Sequence, residues 1–291
     1  MKYGTKMNGY HIPVLLNEAI ELLGVKPGDK YIDCTLGGGG HSEAILKAGG
    51  ILLSIDQDSE AIENFGKHEN STVEKGNFAH LQEIAQRAGF EKVAGILFDL
   101  GVSSHHLEAG YRGFSFNQEA DLDMRMDPLG QTITAADLIN AGGEKELANL
   151  FWKFGEERAS RKIAKAIVDA RKLGKIETTD QLAKIIIKVR GRGKGDRTHP
   201  ATRVFQALRL AVNDELESLE QALPQAVELL KPGGRLVVIS FHSLEDRIIK
   251  NFMQQENILK VLTKKPVAPN SVEVKINPRA RSSKLRAAEK I

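Results

Sequence analysis

The sequence predicts an α/β fold: a mostly parallel sheet with helices on both faces, interrupted by a smaller helical insert. Three observations predict it. Short apolar strands alternate with helical patterns through the first third of the chain, as a covered parallel sheet requires. A glycine-rich turn separates the first strand from the helix after it. Strand patterning then disappears over residues 134–188 and returns near Arg235.

The elements follow in order. Apolar spacing predicts a helix over 13–23 and a short strand over 31–34, which Gly37 to Gly40 break. A helix resumes over 41–48, a second strand covers 51–55 and ends at Asp56, and 59–65 is helical. Val73 and Glu74 mark a third strand, 81–88 a helix, and 93–99 an apolar strand. A polar, glycine-containing loop runs from His105 to about Thr132. Helical patterns fill 134–188, and 190–196 is a basic, glycine-rich link. A helix resumes near Thr202 and runs towards Leu219; 223–230 is helical, Pro232-Gly233-Gly234 turns, and 235–240 is a strand. The expected organisation is a core domain of residues 1–108 and 199–291, with a helical insert over 109–198.

With 291 residues the chain can build one large domain or two. No apolar run approaches the ~18 residues of a membrane span. The polar residues 1–10 lack the apolar stretch of a signal peptide. Cys34 is the only cysteine, so intrachain disulfides are excluded. Together these features predict a cytoplasmic protein with no membrane association. The oligomeric state is not fixed, and a homodimer stays open.

The net charge is only +3, but Lys and Arg crowd into 158–175, 190–197 and the tail from Lys275. Local basic clusters fit a phosphate-bearing partner; solvated helix faces produce the same pattern. Arg158, Arg161, Lys162, Lys165, Arg190, Arg192, Lys194 and Arg197 are the candidate phosphate contacts. Arg279, Arg281 and Arg286 either join them or complete the sheet edge.

Strand, glycine turn and helix in this order make a cofactor cradle. Glycines permit backbone with φ > 0 and carry no Cβ to block a ligand. The helix N-terminus adds free N–H groups and partial positive charge. Asp56, ending the second strand, is placed to accept both hydroxyls of an adenosine ribose. Asp33, ahead of the turn, repels a pyrophosphate and suits a cofactor with a positive amino group and a sulfonium. Ser42 stands where a dinucleotide fingerprint wants its closing glycine, a weak match to nicotinamide or flavin binding. Ligands of open α/β sheets bind outside the carboxyl ends of the strands, so Asp99 lies beside Asp33 and Asp56 as a candidate catalytic and cofactor contact. Capping the next segment is its alternative role. Cys34 is read as a small buried filler. His105 and His106 follow, but no acidic or cysteine partner has metal-site spacing, so no metal is expected. A cofactor or substrate contact is expected for one of them.

Several strings bring a known family to this sequence. They are Asp33-Cys-Thr-Leu-Gly-Gly-Gly-Gly-His41, Asp99-Leu-Gly-Val-Ser-Ser104, Arg112-Gly-Phe-Ser-Phe116, Leu122-Asp-Met-Arg-Met-Asp127, Gly155-Glu-Glu-Arg158, His199-Pro-Ala-Thr-Arg203, Ser240-Phe-His-Ser-Leu-Glu-Asp-Arg247 and Asn277-Pro-Arg-Ala-Arg-Ser282. In this order, from His11 to the C-terminus, the chain resembles the bacterial 16S ribosomal RNA cytosine-N4 methyltransferases. The resemblance implies a Rossmann-like class I methyltransferase domain with an inserted substrate-recognition domain. It implies S-adenosylmethionine as cofactor and N4 of a cytidine in the decoding centre of 16S rRNA, on the small ribosomal subunit, as methyl acceptor. It places cofactor contacts at Gly39, Gly40, His41, Asp56, Phe78 and Asp99, and at His106, where the family usually has a glutamine-like residue. The choice of N4 comes from the resemblance alone.

Cytosine N4 is a poor nucleophile, so acceptors on its N–H groups and strict alignment are what a protein can add. An accessible base is read by stacking and edge hydrogen bonds. Phe114, Phe116 and Phe241 are candidate stacking residues, with core packing as the alternative. Phe151, Trp152 and Phe154 are expected in the core of the insert. Ser243-x-x-Asp246 resembles a capping box after the 235–240 strand, and His242 beside it is a candidate substrate contact.

Overall fold

The computed structural model describes residues 12–102, 110–191 and 198–291. The chain divides into two compact units, Met1–His105 with Leu216–Ile291, and His106–Glu215.

The first unit is a Rossmann-like sheet with helices on both faces. Its seven strands are β1 (Lys30–Asp33), β2 (Ile51–Asp56), β3 (Ser71–Lys75), β4 (Val93–Asp99), β5 (Leu230–Ser240), β6 (Leu259–Val261) and β7 (Lys284–Lys290), in the order β3-β2-β1-β4-β5-β7-β6. The first five pair in parallel, and β7 is antiparallel to both β5 and β6. Helices α1 (Leu16–Leu23) and α2 (Gly40–Lys47) pack on the face of Tyr31, Leu52, Leu97 and Val237. The face of Ile32, Leu53, Ile96 and Val238 packs against α4 (Leu81–Arg87), α10 (Glu215–Leu229) and α11 (Ser243–Gln255). Between them, α3 (Ser59–Phe65) links β2 to β3, and the short α12 (Ser271–Ile276) precedes β7. Burial on both faces explains why β4 reads as an unbroken apolar run instead of an alternation.

Register decides where the polar ends meet. Asp33 pairs with Ser54 and Leu97, and Asp99 pairs with Ile239. The ends of β1, β2, β4 and β5 therefore share one edge, with Asp33, Asp56 and Asp99 upon it.

The structure corrects several boundaries. The helix expected from Thr202 to Leu219 stops at Asn213, and Asp214 takes a left-handed φ of 47° before α10 begins. Pro224 lies inside α10, which runs on because Leu219, Leu223 and Val227 bury one continuous face. β5 starts at Leu230, and Pro232-Gly233-Gly234 bulge out of it between the Val93 and Gly95 pairings. Arg286 lies on β7, inside the sheet between β5 and β6, so it does not complete an edge; it is 8% exposed and donates to Asp246 at 2.7 Å, which turns it away from a phosphate.

The second unit contains α5 (Ala135–Ala141), α6 (Glu144–Gly155), α7 (Ser160–Arg171), α8 (Thr179–Arg190) and α9 (Thr202–Val212). Thr134 with Asp137, and Thr178 with Gln181, close capping boxes on α5 and α8. Leu147, Phe151, Ile163, Ile167, Leu182, Ile186, Val204 and Leu208 are buried in this unit. The compact unit extends past the expected insert boundary at 198, because α9 packs on α6. A Cβ on Gly155 would collide with the carbonyl oxygen of Arg203, so glycine allows that close approach. Trp152 departs from expectation. Phe151 is fully buried, but the next residue, Trp152, is 60% exposed, and Phe154 is half-buried.

The loop before α5 is knotted by two side chains. Arg125 forks onto Asp123 with two 2.7 Å hydrogen bonds and also donates to the carbonyls of Pro128 and Gln131. Asn213, 3% exposed, donates to Met124 O and Arg209 O and accepts from Met126 N and Gln131 Nε2.

Candidate active site

The glycine turn lies between β1 and α2. Gly37 and Gly39 have φ of 48° and 75°, which L side chains adopt only with strain. A Cβ on Gly39 would sit 2.5 Å from the Phe65 ring, and one on Gly40 would sit 2.8 Å from Pro13. Gly39 and Gly40 thus serve tight packing against Phe65 and Pro13.

Asp33 is completely buried beneath this turn. Its Oδ1 accepts from the Thr35 amide at 3.1 Å, and its Oδ2 from the Ser42 hydroxyl at 2.7 Å. Ser42 Oγ in turn lies 2.8 Å from Ser54 Oγ. Burial pushes the Asp33 carboxyl up to about 7, and the charge of Asp56 adds to the rise against the Ser42 and Thr35 hydrogen bonds. The sequence reading aimed Asp33 at a cationic cofactor. The structure shows its oxygens turned into the fold, so any influence on a ligand passes as charge through the turn.

A raised carboxyl stabilises the fold at pH below the unfolded value near 4, and that contribution is lost as pH climbs through about 7. Asn fits the same place: its amide donates to Ser42 Oγ, whose hydroxyl turns to Ser54. Asp33→Asn is therefore expected to flatten the pH dependence of stability over this range, and to gain on the order of a few kcal/mol above it. Urea unfolding across pH checks this, and parallel profiles for both proteins would refute it.

Asp56 ends β2 with Oδ2 accepting from Gly37 N at 2.8 Å and Oδ1 from Asp58 N at 2.9 Å. A carboxylate keeps further lone pairs for ligand hydroxyls. Phe78 opens a short 3-10 turn after β3, capped by Asn77, and its ring meets Phe98 edge-on at 5.6 Å.

Asp99 ends β4. Its amide donates to Thr35 Oγ1 at 2.6 Å, which ties β4 to the start of the glycine turn. The side chain is 15% exposed and lies 3.5 Å, through Oδ2, from His41 Nδ1. His41 Nε2 donates to the Val14 carbonyl at 3.1 Å, which fixes the ring beneath Asp99. One proton between Nδ1 and Oδ2 makes that contact attractive. Burial, then the charges of Asp33 and Glu245, push the Asp99 carboxyl well above its usual range. Its Oδ1 is buried without a hydrogen-bond partner among the described residues. A buried acceptor left unpaired costs about 1–3 kcal/mol, and such atoms mark places where a ligand completes the bonding.

After β5 the helix cap differs from expectation by one residue. His242, not Ser243, caps α11: its side chain accepts from the Glu245 amide, and Glu245 reaches back to the amides of Phe241 and His242 at 2.8 and 3.2 Å. Glu245 is 2% exposed and close enough to Asp99 to raise it. Thr35 and Ser54 are site residues that sequence reasoning missed, since both lie between stronger signals.

The other expected residues distribute as follows. Phe114 is 7% exposed with the Arg112 guanidinium over its ring, so it serves packing in the second unit. Phe116 is half-buried and stacks on His199, centroids 4.3 Å apart. Phe241 is half-buried against the α1 face of the sheet core. Arg190 pairs with the buried Glu157 at 3.2 Å. His105, His106, Arg192, Lys194 and Arg197 lie outside the described residues.

Known proteins resemble this chain along nearly its whole length. A "Ribosomal RNA small subunit methyltransferase H" of Carboxydothermus hydrogenoformans is 47% identical, covering 97% of this chain and 98% of that protein. A protein of the same name from Nostoc punctiforme is 50% identical over 97% of this chain and 94% of its own length. Another from Brevibacillus brevis is 44% identical over 99% and 100%. The family model of the MraW methylases matches residues 8–291. With its glycine turn, its aspartate-lined sheet edge and this match along nearly its whole length, the chain belongs to the MraW methylase family.

Proposed function

We propose that this protein transfers a methyl group from S-adenosylmethionine to N4 of a cytidine in the decoding centre of 16S rRNA, with the small ribosomal subunit as its substrate. The observation that carries the reading is Asp99. It holds a buried carboxylate oxygen, unpartnered among the described residues, beside the glycine turn, in a chain of a methylase family.

The residues fit the cofactor. Asp33, Asp56 and Asp99 favour a cationic ligand and disfavour a pyrophosphate, against the nicotinamide alternative. In this reading Gly39, Gly40 and His41 line the turn that receives the cofactor, Asp56 takes its ribose hydroxyls, and Phe78 and Asp99 complete the contacts. His106 keeps its expected contact as part of the proposal. When bound, the sulfonium makes the methyl group electrophilic. The protein's own work is to align the amine and to exclude water from it. Asp99 Oδ1 accepts a hydrogen bond from the amine, which favours its pyramidal form and takes up positive charge as the new bond develops. The basic helices of the insert unit supply phosphate contacts in this reading. No helix among the described residues is long and apolar enough to cross a membrane, and an rRNA substrate accords with action in the cytoplasm.

Small subunits lacking the modification, incubated with the protein and S-adenosylmethionine and digested to nucleosides, are expected to yield N4-methylcytidine by mass spectrometry. A methylated product at another atom, or none, would overturn the assignment. Calorimetry against NAD separates the oxidoreductase alternative.

A further inference from the structure

Two buried side-chain atoms at the carboxyl edge of the sheet have no hydrogen-bond partner among the described residues: Asp99 Oδ1, an acceptor, and His242 Nε2. The fold brings them together. Asp99 pairs in register with Ile239, three residues before His242. The Phe241 ring lies 3.6 Å from where a Cβ on Gly101 would stand, so the segment after β5 covers the segment after β4. Glu245, 3.1 Å from His242 Nε2, raises the Asp99 carboxyl.

The helix cap fixes what His242 offers. Its Nδ1 accepts from the Glu245 amide at 3.4 Å, so the neutral ring carries its proton on Nε2. Glu245 Oε1 is near that nitrogen but lacks hydrogen-bond geometry. One end of the ring is thus held by α11, and the other presents a donor with no hydrogen-bond partner among the described residues, Glu245 Oε1 lying out of line with it. Leaving both this donor and Asp99 Oδ1 unpaired is costly unless a ligand satisfies them.

We propose that His242 Nε2–H and Asp99 Oδ1 form the donor–acceptor pair that selects the target base, His242 donating to a ring nitrogen and Asp99 accepting from the adjacent amino group. The proposal rests on the methyl-transfer reading above. An extruded base is read on its Watson–Crick edge. Cytosine and adenine offer an amine beside a ring acceptor there. Uracil offers a carbonyl beside an N–H, which sets donor against donor and acceptor against acceptor. The pair therefore admits amino bases and rejects uracil, and it aims the amine at the same edge as the glycine turn.

The test uses small subunits reconstituted with cytidine or 3-deazacytidine at the target; the deaza base keeps the amine but has no ring acceptor. His242→Asn keeps an oxygen able to cap α11 and removes the Nε2 donor. The wild-type protein is expected to prefer cytidine by about 10- to 100-fold in kcat/KM, and the variant to lose that preference. His242→Gln, which restores a donor near Nε2, is expected to recover part of it. Equal preference ratios in wild type and His242→Asn overturn the proposal, as does a wild type that methylates both bases equally well. If His242→Asn fails to bind S-adenosylmethionine, the Gln variant decides by the same ratio. Absence of any methylated nucleoside with wild-type protein refutes the underlying reading instead.

Discussion

Asp99→Asn is expected to lower kcat by roughly a hundredfold to ten-thousandfold, the range of a lost proton-accepting group, while the melting temperature holds or rises. Both halves follow from the same burial. In the wild type a carboxyl with one unpartnered oxygen sits near Asp33 and Glu245, whose charges oppose its ionisation. Asn removes that repulsion. Its amide nitrogen fits the Oδ2 side, 3.5 Å from His41 Nδ1. The amide oxygen then takes the place of Oδ1 and still accepts from a target amine, so KM changes little. What is lost is full negative charge opposite the nitrogen as it becomes cationic. The raised carboxyl also sets a direction: the wild-type rate climbs with pH as Asp99 loses its proton, and the Asn variant lacks that limb. Single-turnover kinetics across pH with thermal melts measure both. An unchanged kcat in Asp99→Asn would remove Asp99 from the chemistry.

Asn213→Ala is expected to destabilise the insert unit by about 3 kcal/mol or more. Asn213 is buried and uses both ends of its amide, bridging the Met124–Met126 segment, Gln131 and the last turn of α9. Alanine strands the Met126 N–H and the Met124 carbonyl away from water. Met124 itself takes a φ of 63°, a strained conformation that these bonds hold in place. Hydrogen exchange should therefore accelerate first around residues 122–131, and urea unfolding should report the loss. A change below about 1 kcal/mol would show that the loop is held by Arg125 alone.

Much of the sheet was legible because its signals are local. β2, β4 and α3 match their expected spans, since an apolar run between glycine or polar punctuation needs no distant partner to be recognised. β5 was only half legible. Leu230 joins the strand through pairing with Val93, while the Pro-Gly-Gly signal between reads as a turn and is a bulge. Trp152 was misread because aromatic residues in a helical stripe suggest a core, and the exact face depends on which helices flank α6. The cap of α11 slipped by one residue because Ser is a commoner cap than His, and the reciprocal bonds of His242 and Glu245 decide it.

The glycine turn and its flanking aspartates could be found by order along the chain, because strand, turn and helix are neighbours in sequence. The family strings could be found the same way. What each aspartate does could not. Asp33, Asp56 and Asp99 look alike in sequence, yet one is sealed under the turn, one is held by two amides and one keeps a free oxygen. Residues from β1, α2, β4 and the start of α11 set those differences. Burial, charge coupling and unpaired hydrogen-bonding atoms arise only when distant segments pack, so the tertiary structure alone assigns them.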